Sequence, residues 1–186
     1  QGVIVTGSST ADLSYPTGVT GDNTIWGGKN GLYVQDATVT INNYHIYGST
    51  DKIAATALEG RYGVWVNSGE LRLDGENHIL GALCGLRVEA GSVTNYKDAS
   101  GGWTTVEKPD MHAGTGTIDA GKAQGAVGAY ITGGSVTLGG YRIATQGATG
   151  DSHGVWASGQ VRVYLDCAYN GIVPSIFGAT GDGVLV

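Results

Sequence analysis

From Gly31 onward, apolar and polar residues alternate in short bursts separated by Gly, Asn, Asp and Ser. Such alternation predicts β-strands with one buried face, because successive strand side chains point to opposite sides. Val64 and Val66 are expected inside with Trp65 outside, Leu71 and Leu73 inside with Glu70 and Arg72 outside, and Val136 and Leu138 inside with Ser135 and Thr137 outside. Helical periodicity is absent.

The bursts recur as a phrase: GLYV at 31, GVWV at 63, GLRV at 85, GAYI at 128 and GVWA at 154, with GVIV at 2 and GVLV at 183. Behind five of them comes a second phrase, whose first inward residue (Val39, Leu71, Val93, Val136, Val161) lies eight residues after the glycine four times and seven once. A third phrase follows as YHI at 44, NHI at 77 and YRI at 141. Three short strands per repeat are therefore predicted. No repeat can bury its own apolar face, so the repeats must stack at the strand spacing of about 4.8 Å. The expected fold is all-β: a single parallel β-solenoid of about five coils, with residues 1–186 as one domain and an inserted surface loop over 95–117.

The GVxVxxGxVxL phrase resembles the right-handed parallel β-helix proteins: the pectin-lyase-like architecture of autotransporter passengers, surface adhesins and phage tail spikes. The resemblance covers nearly the whole chain and implies a right-handed winding. It leaves activity open, because that architecture hosts lyases, hydrolases, adhesins and inert stalks. Polygalacturonase-like members carry NTD, DD, GHG and RIK elements. Here only SHG at 152–154 and RIA at 142–144 occur, with no adjacent aspartates. In pectate-lyase-like members an arginine works beside carboxylate-bound calcium, whereas Arg87 has Trp65 and Tyr130 as column neighbours and no carboxylate cluster. No catalytic residue is assigned, and an enzyme is not expected. Asp151 with His153 is the one acid–base pair worth testing, its ordinary alternative being a corner hydrogen bond.

Composition fits the repeat. Glycine is 34 of 186 residues, proline only 3, and charged residues 14%, against about 25% in ordinary domains. The net charge of -6 offers no basic patch for phosphates, so nucleic acid is not an expected partner. No apolar run approaches the roughly 20 residues of a membrane span, and no signal-like segment opens the chain. Gln1 reads as a plausible mature terminus, and an extracellular or cell-surface location is expected. No cofactor or metal is expected either. His45 and His78 lack a third ligand, and Asp151 and Asp182, each closing a GATGD phrase, read as turn residues more readily than as a calcium pair. Cys84 and Cys167 lie about three coils apart, too far for a disulfide, so both are expected as free thiols or as an intermolecular bridge.

Function must then lie on the surface and at the ends. The outward position of the first strand reads Ile4, Tyr33, Trp65, Arg87, Tyr130, Trp156 and Leu185, an aromatic stripe suited to glycans or to lateral packing. The second strand exposes Thr38 and Thr40, Ser92 and Thr94, Ser135 and Thr137, and Gln160 and Arg162, a polar ladder. Trp26, in an irregular stretch over 14–30, and Trp103, in the insertion, are expected as loop contacts. Uncapped end strands invite pairing with another chain. Val3, Ile4 and Val5 are expected to meet Val184, Leu185 and Val186 of another copy, giving a head-to-tail contact that does not close. The leading expectation is a self-assembling extracellular subunit that stacks into filaments. Its alternatives are a segment of a longer β-helical adhesin and a polysaccharide-binding β-helix that uses the stripe.

Overall fold

The computed structural model describes residues 2–15, 23–48, 61–104, 113–121, 123–145, 150–166, 176–178 and 181–186. These residues contain no helix, and their strands visit three faces in strict rotation. On the first pass β1 (Val3–Thr6), β2 (Thr10–Ser14) and β3 (Thr24–Trp26) occupy the first, second and third faces. The second pass is β4 (Asn30–Gln35), β5 (Ala37–Asn42) and β6 (His45–Tyr47). On the third pass β7 (Tyr62–Val66) is followed by β8 (Gly69–Gly81), which bends at Gly75 and serves both remaining faces. The fourth pass is β9 (Cys84–Val88) and β10 (Ser92–Thr94), then a small hairpin of β11 (Tyr96–Lys97) and β12 (Trp103–Thr104), then β13 (Gly114–Ala120). β14 (Val127–Ile131), β15 (Gly134–Gly139) and β16 (Tyr141–Thr145) form the fifth pass, and β17 (His153–Ala157), β18 (Val161–Asp166) and β19 (Ile176–Phe177) the sixth. β20 (Val184–Leu185) returns to the first face.

Apart from the antiparallel β11–β12 hairpin, every pairing among the described strands is parallel, and each strand pairs with its counterpart one pass away. The first face is one sheet in the order β1-β4-β7-β9-β14-β17-β20. Its seven strands extend the five full phrases by the two outer ones, GVIV and GVLV.

This pairing turns the repeat into columns. On the third face Ile25, Ile46, Ile79, Ile118, Ile143 and Ile176 stand opposite one another, strand by strand. On the second face Val39, Leu71, Val93 and Val136 do the same. With Leu32, Val64 and Leu86 of the first face they form one continuous core, most of whose members are wholly inaccessible. Packing at that density makes large-to-small changes cost about 2–5 kcal/mol.

The repeated glycine has a steric origin. A Cβ on Gly63 would sit 2.7 Å from the Gly85 carbonyl oxygen and 2.7 Å from Ile79 Cγ2, and one on Gly85 would sit 2.8 Å from the Gly128 carbonyl and 2.9 Å from Ile118 Cγ2. Where the third face hands over to the first, backbone therefore stacks on backbone, leaving no room for a side chain. Gly69, Gly91 and Gly134 form a second glycine column between the first and second faces, with φ of 93°, 88° and 80°. Left-handed backbone there favours glycine on conformational grounds.

Four expectations need correction. The insertion ends before Gly114, because Gly114–Thr117 continue a strand paired with β8 from Gly75 to His78. A GTGT run shows no apolar alternation, so its strand character comes from the neighbouring strands. The stretch over 14–30 is not irregular throughout, since Thr24–Trp26 form β3 and Trp26 is a strand residue. After β17 the corner is longer than the spacing implied, so Val163 rather than Val161 stands opposite Val136, and Arg162 and Tyr164 flank it. Seating Val163 and Leu165 against Val136 and Leu138 keeps the core columns filled, which outweighs constant corner length. Finally, Thr94 and Thr137 are expected outside but are buried: the hairpin folds over Thr94, whose hydroxyl donates to the Thr104 carbonyl at 2.6 Å, and Thr137 is its neighbour in the same column.

The insertion departs from the ladder at Asn95, and that side chain repairs the break. Its amide nitrogen donates to the carbonyls of Gly114 and Gly139, both at 2.6 Å, and its oxygen accepts from the Gly139 N–H at 2.9 Å. Asn95 is fully buried. Asn95→Ala would strand three backbone groups at about 1–3 kcal/mol each before relaxation. We expect a loss of about 3 kcal/mol in urea unfolding, and a loss below about 1 kcal/mol would show that water replaces the amide.

Candidate functional site

The first-face outward column forms as a single register: Ile4 opposite Tyr33, then Trp65, Arg87, Tyr130, Trp156 and Leu185. Parallel pairing brings these residues together although up to 43 residues separate neighbours in sequence. Within the column Tyr33 and Trp65 meet edge to face, with centroids 5.0 Å apart at 72°, and Tyr130 and Trp156 are tilted at 54° with centroids 5.1 Å apart, while His153 of the same strand meets Trp156 edge to face at 5.7 Å. Tyr33, Trp65 and Tyr130 are thereby half-buried, and Trp156 is the exposed ring of the four.

Arg87 is the hub of this column. Its guanidinium carbon lies 5.1 Å from the Tyr62 ring, 5.6 Å from Trp65 and 5.4 Å from Tyr130. It also donates to Glu89 from Nε at 2.8 Å and to the Tyr62 hydroxyl at 2.7 Å. Such a cage satisfies the charge and fills the middle of the stripe, so Arg87 acts as internal packing. Tyr62 and Glu89 were not singled out from sequence. Tyr62 immediately precedes the phrase glycine, and Glu89 follows the phrase by one residue, so only strand pairing connects them.

The outermost strands differ from the interior ones. Among the described strands, β1 is hydrogen-bonded to β4 alone and β20 to β17 alone. Val184 continues the inward column opposite Val155, yet it is 50% exposed, with no described strand paired on its far side. Ile4 is 55% and Val186 95% exposed, whereas Val3, Val5 and Leu185 are half-buried. These six residues present the cross-section of the core, with the same inside–outside alternation as the strands beneath them.

Trp103 lies on the second face, where Lys97 stands over its ring at 4.6 Å and Arg72 at 6.0 Å. Lys97 also pairs with Asp74 at 2.7 Å, so this part of the insertion is braced against its own sheet. Residues 105–112, with Glu107, Lys108, Asp110 and His112, lie outside the described residues. Trp26 ends its strand 54% exposed, stacked on Tyr47.

His45 and His78 pair across the third face with ring centroids 4.6 Å apart, and Arg142 of the same column is paired instead with Asp119 at 2.5 Å. Asp151 and Asp182 are exposed at the entries to β17 and β20. His153 Nδ1 accepts from the Asp182 backbone N–H at 3.2 Å, which makes it a corner hydrogen-bond partner. Among the described residues no three His, Cys, Asp or Glu side chains converge as a metal site, and no helix is long and apolar enough to cross a membrane.

Cys84 is buried and free, and its thiol donates to the Leu86 carbonyl at 3.1 Å, whereas Cys167 lies outside the described residues. Burial pushes the Cys84 thiol up to about 12 from 9.0. Its thiolate is therefore suppressed at pH 8, and Cys84 should react with iodoacetamide only at the rate of unfolding. Mass spectrometry of native and urea-treated protein measures this directly. Since the raised value belongs to the folded state, its stabilisation is complete below pH 9 and is lost as pH rises from 9 toward 12. Burial likewise raises the phenol of Tyr141, so both groups push unfolding in the same alkaline direction.

No protein-family model matches the chain significantly, and neither does any curated protein or solved structure. The parallel sheets are compatible with a β-helix, while the likeness to pectin-lyase-like proteins stands on the repeat phrase alone.

Proposed function

We propose that the chain is a structural β-solenoid unit whose outer strands, β1 and β20, are stacking edges. In this reading the passes wind as one right-handed parallel β-helix of six three-strand coils plus the returning β20. Copies join through the first face, with Val184 and Val186 above Val3 and Val5, and Leu185 above Ile4. Among the described strands, the second and third faces carry six each against seven on the first, so strand pairing across the junction runs through the first face. Such a contact joins unlike surfaces and propagates into a filament.

The observation that carries this reading is Val184. An inward core residue half open to solvent on a strand paired on one side is the condition edge strands normally avoid. Covering it with another strand buries apolar area worth about 25 cal/mol per Å2. We place the unit outside the cell or on its surface, as a scaffold rather than an enzyme, consistent with the internally satisfied Arg87 cage and the corner role of His153.

Sedimentation velocity across a hundredfold range of concentration tests this. Open-ended association, with sedimentation rising without a plateau, supports stacking, and a fixed monomer or closed dimer refutes it. A second reading, a stretch of a longer β-helical adhesin, is favoured by the recurrence of the interior phrase at both outer strands. There the same edges meet further coils of the same polypeptide, and the 186-residue chain still associates through them.

A further inference from the structure

The third face carries a groove that neither the stacking edges nor the first-face column uses. It is a half-open groove of about 650 Å3 between Asn23, Trp26, His45, Tyr47, Glu76 and His78. That volume falls within the range of small-molecule sites, about 300–1,000 Å3. Strand pairing builds it. Ile25, Ile46 and Ile79 point inward, so the residues on either side of each isoleucine must point outward. One outward row is Thr24, His45 and His78, and the next begins with Trp26 and Tyr47.

The aromatic wall differs in kind from the first-face column. Trp26 and Tyr47 lie nearly parallel, 4.4 Å apart at 26°, and Trp26 remains 54% exposed, so indole surface stays open to solvent. Beside it His45 lies over His78, whose Nδ1 and Nε2 reach the Thr117 hydroxyl at 3.1 Å and the Glu76 carboxylate at 3.2 Å. Asn23 uses its amide nitrogen on the Asn43 carbonyl at 2.7 Å, while its oxygen is buried with no donor among the described residues.

These features select a ligand class. Among the described residues no lysine or arginine lines the groove, so none of them selects an anion. The one carboxylate among its described lining residues, Glu76, already lies beside His78, which leaves little there to hold a cation. An exposed indole beside a mixed set of donors and acceptors suits a ring with an apolar C–H face and an equatorial rim of hydroxyls. We propose that this groove binds a neutral pyranose unit of a glycan. The sugar ring lies on Trp26, with its hydroxyls donating to the Glu76 carboxylate and exchanging hydrogen bonds with His45. This assignment is independent of end-to-end stacking and survives if stacking fails.

The test uses the full chain titrated with cellohexaose, N-acetylchitohexaose, mannohexaose and xylohexaose, read by calorimetry and tryptophan fluorescence. At least one is expected to bind saturably. Trp26→Ala should weaken that binding at least tenfold, Glu76→Ala several-fold, and Trp26→Phe should recover part of the loss. Trp156→Ala on the first face should leave it unchanged. Circular dichroism confirms that each variant is folded, which the exposure of Trp26 favours. Absence of saturable binding by all four sugars overturns the proposal, as does binding that survives Trp26→Ala or is lost with Trp156→Ala. If Trp26→Ala instead reduces self-association without affecting any sugar, the groove's occupant is a second copy and the glycan assignment fails.

Discussion

Placing a carboxylate on both outer strands, Val3→Asp with Val184→Asp, is expected to abolish end-to-end association while leaving the interior folded. In a stacked junction each new charge would sit in the inward column, facing another apolar strand without a partner. Burying an uncompensated carboxylate costs several kcal/mol, so association should fall at least a hundredfold, a change of about 2.7 kcal/mol or more. In the isolated chain the cost is small. Val184 is half exposed and Val3 sits on an outermost strand, so both carboxylates can reach water. A stability change within about 1 kcal/mol is expected by urea unfolding. Sedimentation of the double variant beside the parent reads the effect, and equal association by the two would rule out these strands as the junction.

The second large effect lies inside. Gly63→Ala should destabilise the chain by about 3 kcal/mol or more, because the new methyl meets backbone on one side and the isoleucine column on the other. Neither the Gly85 carbonyl nor the Leu80 carbonyl carbon, 3.0 Å from the added Cβ, can rotate away as a side chain could. Relief requires separating strands that hold their spacing along the whole stack. Gly28→Ala is the matched control, since nothing lies within 4 Å of its added Cβ. It should change stability by no more than about 0.5 kcal/mol. Equal, small losses for both variants would show that the phrase glycine serves flexibility rather than close approach.

The columns were legible in sequence because alternation fixes facing, and a recurring glycine fixes register. Tyr33, Trp65, Arg87, Tyr130 and Trp156 fall in the expected row for that reason. β3 and β13 were not legible in full: Thr24–Trp26 and Gly114–Ala120 each carry one inward isoleucine among residues common in turns, and pairing with neighbouring strands makes them strands. The register of β18 was missed because corner length varies while core filling does not.

Side-chain partnerships were the least legible. The Arg87 cage joins Tyr62, 25 residues earlier, to Glu89, two residues later. Asn95 reads as a polar lapse in a leucine column until its bonds to Gly114 and Gly139 are seen. The third-face groove combines residues of three strand passes, Trp26, Tyr47 and His78 among them, and no local pattern marks it.

Cryo-electron microscopy of the 186-residue chain, concentrated under native conditions, tests end-to-end stacking most directly. Seven first-face strands per copy at about 4.8 Å predict unbranched threads with an axial repeat near 34 Å and continuous parallel-strand density across each junction. Dispersed single particles at every concentration, or assemblies joined side by side with β1 and β20 exposed to solvent, would contradict it.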